Sequence, residues 1–512
     1  MFSAFQYNNP RLMTQRRRIL AGLALTIGIG VLTLFNITGA LVFALVALWA
    51  IWSMANPQGS FLTLLLYFLV FYGRTTMGDL DIAGSADRGA IRIGDIMWII
   101  AFGCVAVRRG LGPRQWRMMP PKKAAILPYI ILACMLPVVG ILSGSWPMSY
   151  AVPGFRHLQW ASFAWMAYIL CSWASLEAVW GQIVKVIAWS CIIHAGYAFL
   201  QVGYAVGFIP RSFLYLDDLL VRTKATTWFY YPRTTGLFLN PNSYGIYSAI
   251  CVMMGLLLSW AQGRKIWLWN AMMVCGVFGM ITSGSRSALA GLLLGVAALY
   301  LRPMAITKQM MKPLLNIGMM MLLLVAIVYL TAAYIPESIR ARFVRMALVS
   351  REGADADANL AARVDSWKAL HAEYQNKYPW GTWVPASYAL ESPMDSYYAQ
   401  TWAQGTPVFV CAFILLMMAA IFRGRHLAKS ALREHQTAGL SLVATSGVIL
   451  AASVAASPLL QPHINAIFWS LLGVVMAVHA PARIGLPRVA CLGSAGAWQA
   501  SPVLHDPDAE GK

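Results

Sequence analysis

The feature that most constrains this chain is a recurrence. Stretches of about 20 mostly apolar residues, the length a helix needs to cross a bilayer, follow one another along most of the sequence. Fourteen are read at residues 19–35, 37–54, 60–72, 91–107, 124–142, 158–175, 179–205, 240–260, 266–282, 287–301, 313–333, 405–422, 437–457 and 464–480. The third is short enough to be re-entrant. Of the 512 residues 59% are hydrophobic and only 11% charged, with a mean hydropathy of +0.62; a soluble protein carries roughly 25% charged residues. The expected fold is all-α: a polytopic integral membrane protein of about 14 transmembrane helices in one domain over residues 1–480. The Gly/Ala/Pro-rich tail, 481–512, is expected to be cytoplasmic and disordered.

Orientation follows from charge. Arg16, Arg17 and Arg18 precede the first apolar run, which continues without a cleavage site and so reads as a membrane helix with a cytoplasmic N-terminus. Threading from there puts RRGLGPRQWRMMPPKK (108–123), QGRK (262–265), RPMAITKQMMK (302–312) and RGRHLAKSALREH (423–435) inside. With the termini these hold 22 of the 39 basic residues. The net charge of +20 is then the cytoplasmic Lys/Arg excess of a membrane protein, with no nucleic-acid partner implied. All eight cysteines lie in apolar segments or the tail, so no disulfide framework is expected.

The outer side carries 16 basic residues, 13 of them arginine, against the positive-inside trend. Most lie in two loops, about 206–239 and 334–404. The second is rich in Trp, Tyr and Pro and has helical patterning of its own. LAARVDSWKALHAEY (360–374) lines Leu360, Val364, Trp367, Leu370 and Tyr374 along one face, and IRARFVRMAL (339–348) suits the membrane surface.

Within YYPRTTGLFLNPNSYG (230–245), Asn240-Pro241 is a helix start: Asn caps, and Pro has no N–H to leave unpaired. That helix turns its positive end outward with Arg233 just upstream, and a helix N-terminus beside an arginine suits an anion such as phosphate. SGSRSALAGLLLG (283–295) repeats the arrangement, with Ser283 or Ser285 as cap and Arg286 in the first turn. Arg286 opposes the helix dipole there, a placement an intervening anion would favour. Interfacial snorkelling is the bland alternative for either arginine.

Arg363 flanks the apolar face one turn before Trp367, where a surface ion pair with Asp365 or Glu373 competes as an explanation. Asp395, in ESPMDSYYAQTWAQG, is a candidate general base and equally a candidate N-cap for a helix starting at Ser396. Arg211, Asp217, Asp218, Arg222 and Lys224 fill the first large loop and could line a substrate cleft. Asn242 joins Asn240 among the substrate-binding candidates, and Tyr230, Tyr231, Trp228, Trp380 and Trp383 could stack on sugar faces. Arg88, Arg92 and Asp95 flank the fourth run; Lys185 and His194 fall inside the seventh, where an ionisable group prompts a functional reading. His371 and His463 stand alone. No His/Cys/carboxylate set has metal-ligand spacing and no glycine-rich nucleotide motif occurs, so neither metal nor cofactor is expected.

RTTGLFLNPNSYG, GSRSALAG about fifty residues on, the Arg363-x-x-x-Trp367 helix in a long outer loop, and MDSYYAQTWAQGTP closing that loop together resemble the superfamily of O-antigen ligases and Wzy-type polysaccharide polymerases. The likeness covers roughly residues 180–425. It implies a metal-independent, membrane-embedded C-type glycosyltransferase of the bacterial inner membrane. Such an enzyme moves a glycan from undecaprenyl diphosphate to an acceptor hydroxyl at the periplasmic face. Arg233, Arg286 and Arg363 would be the diphosphate clamp. Where the ligases end the long loop with His-Asn, this chain has Asp395-Ser396. That difference points to an exopolysaccharide or O-antigen-type polymerase, with Asp395 as base and inversion at the anomeric carbon. Its partners would be the lipid-linked oligosaccharide, an acceptor saccharide, membrane lipid, a chain-length regulator and export proteins. The rival readings are a ligase acting on lipid A core or protein, a lipid-linked oligosaccharide flippase, and a non-catalytic assembly subunit.

Overall fold

The computed structural model describes residues 20–29, 39–72, 92–111, 126–144, 151–205, 208–210, 233–238, 240–261, 266–300, 364–369, 372, 380–383 and 396–477. Every regular element among them is helical. In chain order these are α1 (Leu20–Ile29), α2 (Gly39–Ala55), α3 (Pro57–Val70), α4 (Ile93–Leu111), α5 (Leu127–Leu142), α6 (Ala151–Trp173) and α7 (Leu176–Ala205). They continue as α8 (Pro241–Ala261), α9 (Ile266–Ser283), α10 (Arg286–Tyr300), α11 (Tyr397–Leu427), α12 (Arg433–Ala452) and α13 (Pro462–Ala477), with a 3-10 turn at Pro458–Leu460.

By length and composition, three of these helices can cross a membrane: Leu176–Tyr204, Pro241–Ala261 and Tyr397–Leu427. Seven other apolar helices are 10–17 residues long. Around a large apolar core, small hydroxyls are also buried while large apolar side chains face outward. Ser190, Thr437, Ser441, Thr445, Ser446 and Ser470 are buried, while Ile51, Met54, Phe199, Leu293 and Phe422 point outward. In water that surface would be costly; in hydrocarbon it is the favourable one.

Hydrogen bonds fix which helix ends meet. At the upper end, where α8 and α10 begin, Tyr72 and Gln159 both donate to Asp95 Oδ1, at 2.7 and 2.8 Å, joining the end of α3 and the third turn of α6 to the start of α4. Tyr397 N–H donates to Ser453 O at 2.9 Å, joining the start of α11 to the end of α12. At the lower end Arg425 donates to Ala298 O (3.0 Å) and Arg433 to Ala261 O (3.2 Å), meeting the negative ends of α10 and α8. Trp180 donates to Thr437 Oγ1 and Gln58 to Gln182 there, each across distant parts of the chain. Arg108 and Arg109, in the last turn of α4, lie over the rings of Trp173 and Trp165.

Close helix contacts use glycine where a Cβ would meet backbone. Added at Gly424, a Cβ would sit 2.6 Å from Gly439 O, across the α11–α12 seam; added at Gly473, it would strike Ala164 O on α6. With no hydrophobic drive between helices in lipid, such backbone approach supplies the packing.

The return of the long loop differs from the span expected at 405–422. The helix starts at Tyr397, and its backbone is broken at Gly405 (φ −143°, ψ 29°) and Thr406 (φ 60°, ψ −172°), just before Pro407. The rings of Tyr397 and Tyr398 lie 5.0 and 5.5 Å from that of Phe413, so the first arm folds back along the second. Pro407 has no N–H for Ala403 O, so a continuous helix would leave that carbonyl unpaired. Instead Thr382 N–H donates to Ala403 O at 2.8 Å and Trp383 N–H to Gln404 O at 3.0 Å. A left-handed backbone at a β-branched residue costs about 1–3 kcal/mol.

Candidate functional site

The upper ends of α7 to α10 assemble around RTTGLF. Gln201, in the last turns of α7, accepts from Thr235 N–H (3.0 Å) and Gly236 N–H (3.1 Å), and its amide donates to Thr235 Oγ1 (3.0 Å). Gly236 has φ 55°, and a Cβ there would lie 3.0 Å from Tyr244 Cε2, so the turn needs glycine on both counts. Thr234 donates its N–H to Thr282 O (3.1 Å) and its hydroxyl to Thr282 Oγ1 (2.7 Å), pinning the loop along the end of α9.

His194 holds the other side. Its Nδ1 accepts from Leu237 N–H at 3.2 Å, and its Nε2 lies 2.7 Å from Leu69 O, an acceptor. The proton must then be on Nε2 and the ring neutral. The functional reading prompted by an ionisable group in an apolar run gives way here to a structural one. His194 ties α3, α7 and the loop together, with the Phe238 ring in tilted contact with both His194 and His463.

Arg233 is half-buried. It donates Nε–H to Ser283 O, the last residue of α9, at 2.6 Å, and Nη2–H to Asn242 Oδ1, in the first turn of α8, at 2.7 Å. A cation at a helix C-terminus is favourable in its own right. Asn240 caps α8, its Oδ1 accepting Asn242 N–H at 2.7 Å behind Pro241.

The cap of α10 is Ser285, whose Oγ accepts from Ala288 N–H at 3.3 Å. Ser283 instead gives its carbonyl to Arg233. A Cβ on Gly245 would lie 2.5 Å from Ser285 Cβ, so the start of α10 is packed directly on the second turn of α8. Arg286 therefore stands exposed beside α8, and Arg233 crosses the same junction. The two arginines, about fifty residues apart in the sequence, share one corner of the bundle.

The closing segment of the long loop reaches the same end. Ser396 caps α11, accepting Ala399 N–H at 3.4 Å, and donates its hydroxyl to Ser453 O at 3.2 Å. The capping role considered for Asp395 thus belongs to its neighbour. On α12, Val448 packs on Gly291 of α10, one turn inward from Ser287. The end of α12 therefore lies between the start of α11 and the start of α10. A buried chain of hydrogen bonds backs this corner: Tyr397 Oη to Tyr129 Oη at 2.7 Å, and Tyr129 Oη to His157 Nδ1 at 3.4 Å.

Of the remaining candidates, Trp367 is half-buried in a helical segment over residues 364–369, beside an exposed Lys368–Asp365 ion pair at 3.6 Å. Trp383 is half-buried with φ 64°. Asp395, Arg363, Arg211, Arg222, Lys224, Tyr230 and Tyr231 lie outside the described residues. Among the described residues no group of three His, Cys, Asp or Glu side chains could hold a metal ion. Sequence reading missed Gln201, Thr282 and the Ser283 carbonyl; only Gln201, a lone amide late in an apolar run, carried any signal. No protein-family model and no curated protein sequence matches the chain.

Proposed function

We propose that the chain is a membrane-embedded glycosyltransferase of about fourteen spans, with the upper end of the bundle at the periplasmic face. It polymerises a polysaccharide by transferring a glycan from undecaprenyl diphosphate to the hydroxyl of an acceptor saccharide. The observation that carries this reading is the junction of α8, α9 and α10. Two helix N-termini open at one corner, Arg286 stands in the first turn of one, and Arg233 is held across them by Ser283 O and Asn242. Arginines and helix N-termini gathered at one corner suit a diphosphate leaving group.

In the reaction the acceptor oxygen attacks the anomeric carbon as the carbon–oxygen bond to the diphosphate breaks. Configuration inverts, and the leaving charge falls on Arg233, Arg286 and, by its place in the sequence, Arg363. Asp395, immediately before the cap Ser396, would take the acceptor proton. The basic residues at the lower end, Arg108, Arg109, Arg425 and Arg433, support a cytoplasmic placement of that end.

The test is direct. Purified protein is incubated with an undecaprenyl-diphosphate oligosaccharide and the products are separated by size. A ladder is expected, and it should vanish in an Arg286→Ala variant that still folds. Release of undecaprenyl diphosphate only on addition of lipid A core would replace the polymerase by a ligase. No release with any acceptor would reject the enzyme altogether.

A further inference from the structure

Two non-glycine residues among those described have a left-handed backbone, Trp383 (φ 64°) and Thr406 (φ 60°), and both stand at one junction. Trp383 N–H donates to Gln404 O and Thr382 N–H to Ala403 O, the two carbonyls that the break in α11 frees. Thr406 is the hinge of that break. A β-branched residue and a tryptophan are poor choices for this backbone region, where glycine sits without strain. Gly405 next door is needed for space: a Cβ there would lie 2.6 Å from Leu136 Cδ1 and 2.9 Å from Phe409 Cβ.

We propose that residues 381–383 are a strap that latches the folded-back arm Tyr397–Gln404, with Thr406 as a sprung hinge, so that strap and arm are captured and released as one unit. Latching satisfies two carbonyls and holds two residues in strained backbone. Release relaxes both residues and frees both carbonyls. Opposed terms of similar kind keep the two states close, as a moving part requires. The arm begins at Ser396, bonded to the end of α12, so its movement would shift the loop's attachment at the upper corner. The proposal stands whether or not the chain is a glycosyltransferase.

Hydrogen exchange of the full-length protein in lipid nanodiscs tests it, read at the amides of 382–383 and of 398–404. Glycine at the hinge relieves strain in the latched state without removing a packed side chain, so Thr406→Gly should slow exchange at 382–383 about tenfold. Thr382→Pro removes one latch donor and should speed exchange across the arm as well as at 383. Exchange at 382–383 unchanged in Thr406→Gly would overturn the proposal. So would arm amides that ignore Thr382→Pro in a protein with an unchanged melting temperature. If Thr382→Pro does not fold, Thr406→Gly decides alone.

Discussion

Arg233 donates its Nε–H to the carbonyl of Ser283 at 2.6 Å, so the arginine that begins the RTTG turn is bonded to the last residue of a helix fifty positions on. Its second bond, to Asn242 at 2.7 Å, reaches the first turn of the helix that follows it. One guanidinium thus joins two helix ends of opposite polarity. Lysine, with a single ammonium, cannot make both bonds in this planar fork.

Replacing Arg233 therefore acts on structure and on the proposed chemistry together. Hydrogen bonds to charged groups are worth about 1.5–3 kcal/mol, so Arg233→Lys should destabilise the protein by about 2 kcal/mol. The measurement is thermal unfolding in nanodiscs. A melting temperature equal to the parent's would show that the bonds to Ser283 and Asn242 contribute nothing to stability.

Arg286 is exposed at the same corner, and its loss should spare the fold. Removing one fixed stabiliser of a leaving charge typically costs about 10²–10³ in turnover. Arg286→Ala should accordingly melt like the parent and release undecaprenyl diphosphate at least 100-fold more slowly, on the order set by that range. Parent-like turnover would remove Arg286 from the clamp.

His194 is fully buried with a backbone partner on each ring nitrogen. His194→Phe keeps the ring and orphans Leu237 N–H and Leu69 O, each costing about 1–3 kcal/mol. The expected loss is about 2–6 kcal/mol by thermal unfolding, from those two groups together. Stability within error of the parent would contradict the neutral, doubly bonded histidine.

The glycines divide by what lies beside them. Gly473→Ala would drive a methyl group into Ala164 O, which belongs to backbone and cannot swing away, so α6 and α13 must separate. Gly181 has nothing within 4 Å, and Gly181→Ala should stabilise α7 by about 0.5–1 kcal/mol. A Gly473→Ala melting temperature at or above the parent's would refute the packing described for α6 and α13.

Sidedness is testable without substrate. Asn240 and Ala431 are both exposed, at the upper and lower ends. In a variant lacking native cysteines, an impermeant maleimide applied to spheroplasts should label Asn240→Cys and leave Ala431→Cys untouched. The reverse pattern, or labelling of both, would invert or discard the proposed orientation.

What the sequence determined is what depends on local composition and spacing. Apolar runs of helical length, the helix start at Asn240-Pro241 and the arginines beside two such starts are local facts. Among the described residues helices form on the apolar runs, with the span expected at 405–422 altered by its fold-back and the run at 313–333 lying outside the described residues. Only the tertiary structure decided partners and bends. That Arg233 meets Ser283, that Gln201 holds the TTG turn and that His194 is a tie depends on which helix ends pack together. No periodicity encodes that. The fold-back at Gly405–Thr406 was equally hidden, because MDSYYAQTWAQGTP reads as one amphipathic run into the membrane. Thr406 there, and Trp383 in the segment bonded to it, hold their strained backbone only where distant segments supply the hydrogen bonds and the packing.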